Sequence, residues 1–235
     1  MTLTPDALAT DATFGSGGAE PYARALRRDG RLRMLRTDGV GGDAVETAVH
    51  DDDAFDVARW SADADLADLS TLDGASSVLD VGCGPARMVR AAVGRGLRAL
   101  GVDVSPVAIE LAREAGLPVV AGSVFDALPH EGDWDAVLLL DGNIGIGGDP
   151  TALLARCGAV ASRSGGVVVE VADEPALDDV YLARVVDDRG SASDSFPWAE
   201  VGADALVWHA RRADLAIGQS WVVDGRTFCR LVRTR

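Results

Sequence analysis

The 235-residue sequence contains no lysine: all 22 of its basic residues are arginine, set against 37 acidic ones for a formal net charge of −15. A surface of that sign repels phosphate backbones, so no nucleic acid is expected as a partner. One stretch is locally basic, with Arg24, Arg27, Arg28, Arg31, Arg33 and Arg36, and reads either as solvated helix and hairpin faces or as a binding patch. Cysteine is scarce. Cys83, Cys157 and Cys229 are too few and too scattered for a disulfide framework or a zinc site, and an odd, sparse count suits a reducing cytosol. No run approaches the roughly 18–20 apolar residues of a membrane helix. The N-terminus lacks the basic-then-apolar pattern of a secretory signal. A cytoplasmic protein with no membrane partner is the expectation. His50, His130 and His209 stand apart from one another, without metal-ligand spacing, so no metal is expected. Neither a P-loop, nor a Ser/His/Asp order, nor a redox cysteine pair occurs.

What is present is a chain with 48% hydrophobic and 25% charged residues, enough for one sizeable α/β core. Residues 1–18, small, polar and punctuated by Gly and Ser, read as a poorly ordered lead-in. A helix is expected from Glu20 to Gly30. The alternation of Leu32 and Met34, then Val45, Thr47 and Val49, suggests a β-hairpin across TDGVGGD. Helical pieces follow through Phe55, Val57 and Trp60 and over 63–72. These segments assign 1–72 to an N-terminal lead-in and cap, and 73–235 to the main domain.

From residue 76 strands and helices alternate, as in a parallel sheet covered on both faces. SSVLDVG is followed by a helix over 85–95, LRALGVDV by a helix over 106–115, then come PVVAGSV, WDAVLLLDG, a helix over 150–162 and GGVVVEVAD. Residues 174–200 read as irregular, 202–215 as a helix, and the Asp224-Gly225 junction as the turn of a terminal antiparallel hairpin.

The chemistry is concentrated in Asp80-Val-Gly82-Cys83-Gly84, which ends a strand and opens into a helix. Glycines there let a ligand approach the backbone closely, and the helix N-terminus offers free N–H groups. Asp103, nineteen residues beyond Gly84, ends the next strand and suits the two hydroxyls of a ribose. A nicotinamide fingerprint requires a small third residue at 87, but the sequence has Arg87. An acid at Asp80 repels a pyrophosphate and suits an ammonium group. The ligand inferred carries a ribose and a positive amino group and no phosphate.

VLDVGCGPARMVRAA, GVDVSPVAIELAR, GSVFDALPHEGDWDAVLLLDG and GGVVVEV resemble the successive core motifs of class I, Rossmann-like S-adenosylmethionine-dependent methyltransferases over residues 76–173. The resemblance implies a three-layer αβα fold: a mostly parallel, doubly wound seven-stranded sheet with an antiparallel C-terminal hairpin. It implies S-adenosyl-L-methionine as cofactor and leaves the methyl acceptor open, while the negative surface favours a small molecule over nucleic acid. It also assigns Gly82 and Gly84 to the methionine portion, Asp80 to its amino group, Asp103 to the ribose, and Ser123, Val124 and Phe125 to the adenine, with Cys83 and Val104 as further cofactor-binding residues. Ser123 stands where the family commonly has an aspartate, with Asp126 as a substitute acceptor, and Ala86 replaces a common third glycine. Asp141 lies where the methionine end and the acceptor meet. Asp141 and Asn143 are the candidate catalytic groups, although a loop needing positive φ explains DGNIGIGGDP equally well. Tyr22, Arg24, Trp60 and Trp198 are candidates for closing over the ligands or for packing alone. A non-catalytic module that binds the same cofactor, and a nicotinamide-dependent oxidoreductase, are the competing readings.

Overall fold

A computed structural model describes residues 12–18, 20–28, 30–38, 45–48, 57, 60 and 62–234. Seven strands form the main sheet, and their chain order explains where a ligand fits. Strands β3 (Ser77–Val81), β4 (Arg98–Asp103), β5 (Val119–Ala121), β6 (Trp134–Leu139) and β7 (Ala161–Val171) run parallel. The antiparallel pair β10 (Leu215–Val223) and β11 (Arg226–Arg233) completes the order β10-β11-β7-β6-β3-β4-β5. The sequence of strands reverses direction between β3 and β6, so the connections leaving these two diverge and open a crevice at their carboxyl ends. The hairpin turn is Asp224-Gly225, both at positive φ (51° and 80°), with Val223 facing Arg226. That is the two-residue geometry whose twist matches its strands.

Every residue of β3 is buried, and β6 carries the buried apolar run from Ala136 to Leu139, because helices cover both faces. Helices α3 (Arg87–Gly94), α4 (Pro106–Glu114) and α5 (Pro150–Val160) follow β3, β4 and β6. Ser105 and Asp149 cap the latter two through their side chains, each followed by proline at the first helical position. Helix α6 (Ala203–Arg212) leads into the hairpin. One core side holds Leu79, Val137, Leu153, Val167 and Leu231; the other holds Val78, Met88, Ile109, Leu138 and Phe228.

A second sheet lies over the crevice. The expected hairpin forms as β1 (Leu32–Asp38) and β2 (Val45–Ala48), but it pairs onward with two strands from residues expected to be irregular. These are β8 (Asp178–Asp187) and β9 (Phe196–Val201), giving the antiparallel order β2-β1-β8-β9. The reason is legible in retrospect: Tyr181, Ala183 and Val185 alternate to one buried face, joined there by Phe196 and Trp198. Helix α1 (Pro21–Arg28) packs this face down onto Val107 and Ala108 of α4. The lid is thus built from both sides of the residue 72/73 division. The short helix α2 (Leu66–Ser70) carries a capping box between Asp65 and Asp68. The helix expected through Phe55, Val57 and Trp60 lies mostly outside the described residues.

Candidate active site

Beyond β3 the chain turns through Gly82 and Gly84, at φ 69° and 52°. The N–H groups of Gly82 and Cys83 both donate to the Val102 carbonyl, which ties the turn to β4. A Cβ on Gly82 would lie 2.8 Å from Asn143 Nδ2, so the turn closes only around a glycine. Ala86 also sits at positive φ (68°), a conformation costing an L-residue about 1–2 kcal/mol that glycine would avoid.

Two acids lie at this end of the sheet and differ in surroundings. Asp103 accepts from the Gly84 N–H (2.8 Å) and the Ser105 N–H (2.7 Å). Burial raises its pKa, and those N–H groups pull against the rise. Asp80 is 4% exposed, and among the described residues no group donates a hydrogen bond to its carboxylate. Burial pushes its pKa up to about 7; the Arg87 charge opposes this, and the carboxylates of Asp141, Asp103 and Asp68 add to it. It sits below the cleft wall rather than on it, because Val81 and Gly82 form the lining there.

Beside the turn runs a buried ion network. Arg87, 5% exposed, donates to both oxygens of Asp68 (2.9 Å each) and to both of Asp141 (2.7 and 3.2 Å). Arg226 of the terminal hairpin reaches Asp68 (2.8 Å) and Glu170 (2.7 Å). Burial alone would raise the pKa of Asp68, yet Arg87 and Arg226 hold it at about 2. Asp141 is fixed twice over, since its own N–H donates to Glu170 (2.8 Å). Asn143 Nδ2 donates to the carbonyls of Val81 (2.8 Å) and Gly82 (3.1 Å), pinning the glycine turn from the loop after the neighbouring parallel strand β6.

A cleft enclosing about 1140 Å³, its open mouth included, brings these elements together. Of the residues singled out from sequence, Gly82, Cys83, Gly84, Asp103, Val104, Ser123, Val124, Phe125, Asp141 and Asn143 all line it, as do Tyr22, Trp60 and Trp198. At one end Phe125, 48% exposed, lies beside Gly147, with Val104 on the same cleft wall. The Ser123 hydroxyl accepts from the Phe125 N–H (3.2 Å), while Asp126 accepts from the Ser123 N–H (3.0 Å), so both side chains also shape the turn. At the other end Tyr22 reaches toward Gly84; burial and the neighbouring charge of Asp103 hold its pKa well above the ordinary value.

Other candidates lie elsewhere. Arg24 pairs with Asp187 (2.6 Å), Arg27 with Glu110 (3.2 Å) and Arg36 with Asp179, which breaks up the basic stretch. His209 bridges Thr151 (2.8 Å) and Asp178 (2.9 Å), and His130 packs edge-on to Trp134. His50 and the side chain of Arg28 lie outside the described residues. Among the described residues, no helix is long and apolar enough to cross a membrane.

Sequence reasoning missed Phe14, Ile146 and Pro197 on the cleft wall. Phe14 belongs to the stretch expected to be poorly ordered. It is instead held among Tyr22, Trp60, Phe196 and Trp198, and the Ser16 carbonyl accepts from the Asp194 N–H (3.0 Å). A lone aromatic in a Gly/Ser-rich stretch was the available signal. Gly145 has a structural reason beyond loop conformation: a Cβ there would meet the Ala199 carbonyl at 2.3 Å and the Trp198 ring at 2.7 Å.

Residues 78–165 match a family model described as a methyltransferase domain. No curated protein matches the chain in sequence. Among solved structures, a methyltransferase from Bacteroides fragilis, in complex with S-adenosyl-L-homocysteine, is similar at TM-score 0.70 and 19% identity, covering 92% of this chain and 93% of its own. A 1,6-didemethyltoxoflavin N1-methyltransferase from Burkholderia thailandensis, with its acceptor and S-adenosylhomocysteine bound, reaches TM-score 0.53 at 20% identity, covering 75% and 80%. An amino pentose methyltransferase from Micromonospora echinaspora reaches 0.51 at 19% identity, covering 71% and 87%.

Proposed function

We propose that the chain, whose residues 78–165 match a methyltransferase-domain model on the αβα fold, is a class I enzyme that transfers a methyl group from S-adenosylmethionine to a small-molecule acceptor held under the lid sheet. The observation that carries this reading is Asp80. A carboxylate 4% exposed, with no hydrogen-bond donor among the described residues and its pKa raised to about 7, is matched by a cationic amino group arriving from the cleft, directly or through water.

The remaining residues fit the same ligand. Asp103 keeps lone pairs beyond those used by Gly84 and Ser105 and is placed for a ribose diol. Ser123, Val124 and Phe125 form the adenine end, with the exposed face of Phe125 available to a flat base. Gly82 and Gly84 let the backbone pass the methionine portion. The acids give this end of the cleft a negative field suited to a sulfonium.

S-adenosylmethionine supplies a methyl group already activated on sulfur. The protein's task is therefore to align an acceptor with that methyl and to exclude water, and proximity accounts for most of the rate gain. Asn143 acts by pinning the glycine turn and Asp141 by anchoring the loop after β6 through Arg87; both are assigned as positioning residues. The lid sheet shields the acceptor end. The small-molecule acceptor is supported by the enclosed cleft and by fold relatives whose named acceptors are small. The net charge of −15 disfavours nucleic acid. Calorimetric titration with S-adenosylhomocysteine should give saturable binding that is weakened by Asp103→Asn, and NADH should not bind. Absence of S-adenosylhomocysteine binding would overturn the assignment. Binding without transfer of labelled methyl to any acceptor in a broad panel would reduce the protein to a cofactor-binding module.

A further inference from the structure

Past the glycine turn the cleft is walled by rings. Phe14 stands edge-on to Tyr22 (centroids 5.2 Å apart, planes at 86°) and to Trp60 (6.3 Å, 70°), and tilted against Trp198 (5.6 Å, 47°). Tyr22 and Trp60 are themselves edge-to-face at 5.9 Å. These rings come from separate places: a stretch before α1, α1 itself, residue 60 and β9. Such convergence of aromatic area beside the methyl-transfer position is a feature of the cleft as well as of the core, since all four side chains line it.

The charge at this end decides which acceptor fits. Among the described residues, the charged side chains lining the cleft are Arg87, Asp103 and Asp141. Arg87 and Asp141 are paired with each other, and Asp103 is engaged by the N–H groups of Gly84 and Ser105. Of the three, Asp103 neighbours one ring, Tyr22, and the methyl-transfer reading assigns it to the ribose, so it is not left over as a partner beside Phe14, Trp60 and Trp198. A protonated amine seated there would lose its hydration without gaining an anionic partner, which is costly. An aromatic cage for such a cation needs several ring faces directed at one empty centre. Here the rings lean on one another, edge-on (Phe14–Tyr22, Tyr22–Trp60) or tilted (Phe14–Trp198), at 5.2–5.9 Å, and so present a wall of ring faces and edges, the preferred seat of another flat ring.

Resting on the methyl-transfer reading, we propose that the acceptor is an uncharged planar aromatic or heteroaromatic molecule that packs against Phe14, Trp60 and Trp198 and directs its nucleophilic atom toward the glycine turn. Phe14 forms the removable part of this seat. Its stretch is tied to the lid by the Ser16–Asp194 backbone bond, whereas Tyr22 and Trp198 are 6% and 4% exposed and built into α1 and β9.

The test uses the full chain saturated with S-adenosylhomocysteine, titrated calorimetrically with 2-naphthol, 2-hydroxyquinoxaline and D-glucosamine. Both flat probes should bind and glucosamine should not. Phe14→Ala should weaken the flat probes about three- to tenfold, the range of one aromatic contact, while changing S-adenosylhomocysteine affinity less than about twofold. Trp60→Ala should act in the same direction from another part of the wall. Glucosamine binding in preference to the flat probes, failure of both flat probes, or indifference of their affinity to both substitutions would each overturn the proposal. In any of those cases intact S-adenosylhomocysteine binding leaves the methyl-transfer reading standing; loss of that binding in the unaltered protein sinks both.

Discussion

Replacing Asp80 by asparagine should stabilise the ligand-free protein above neutral pH and weaken its hold on S-adenosylhomocysteine. Burial lifts this carboxyl from the ordinary 3.8 to about 7, so the native state binds a proton that the unfolded chain has already released throughout that interval. Where the native state binds more protons, stability falls as pH rises. The loss therefore accumulates between about pH 4 and pH 7 and is complete above pH 8. At about 1.4 kcal/mol per pH unit the interval amounts to about 4 kcal/mol, and water reaching the carboxylate from the cleft reduces it to an order of 2–4 kcal/mol. Asparagine has nearly the same shape and no charge. Asp80→Asn should accordingly raise the melting temperature at pH 8.5 by roughly 4–16 °C for a chain of this size, with the gain shrinking by more than half at pH 5. Loss of the buried anion facing an ammonium group should raise the Kd for S-adenosylhomocysteine by at least about tenfold. Thermal denaturation at both pH values, with and without the ligand, and calorimetry measure all of this. A variant less stable than the parent at pH 8.5, or one that binds the ligand unchanged, would refute the reasoning.

Three further substitutions probe other parts of the site. Arg87→Met leaves Asp68 buried with half its cationic partners and takes the bidentate partner from Asp141; denaturant unfolding should show a loss of about 3–5 kcal/mol, and Arg87→Lys should recover only part because it cannot bridge both carboxylates bidentately. Asn143→Ala removes two bonds to the glycine turn, so S-adenosylhomocysteine affinity should fall about five- to thirtyfold with a stability change of no more than about 2 kcal/mol; equal effects on both would mark a purely structural residue. Gly145→Ala forces a methyl group against the Ala199 carbonyl and the Trp198 ring, and should cost about 1–3 kcal/mol together with a changed tryptophan emission spectrum; an unaltered spectrum and melting temperature would contradict the close approach.

Local patterns determined the main sheet. The largely apolar strands β3 and β6, the Ser105-Pro106 and Asp149-Pro150 helix starts and the Asp224-Gly225 turn are each decided within a few residues, and the structure has all of them in the expected order. The positions of Gly82, Gly84 and Asp103 at strand ends were legible for the same reason, because a turn after a strand is decided by a few neighbouring residues. The lid depended on pairing between β1 and β8, whose partners Leu35 and Arg184 lie 149 positions apart in the chain, and only folding brings their edges together. The alternation in β8 was present but had no visible partner, and Phe14 had no visible neighbours. The interactions of Arg87 were also a tertiary result: its identity excluded a nicotinamide fingerprint, but its pairing with Asp68 and Asp141 follows from the packing of α2, α3 and the loop after β6. What separates Asp80 from Asp68 and Asp103, which are also buried, is likewise tertiary, since those two are held by arginines or backbone N–H groups that the assembled fold brings to them.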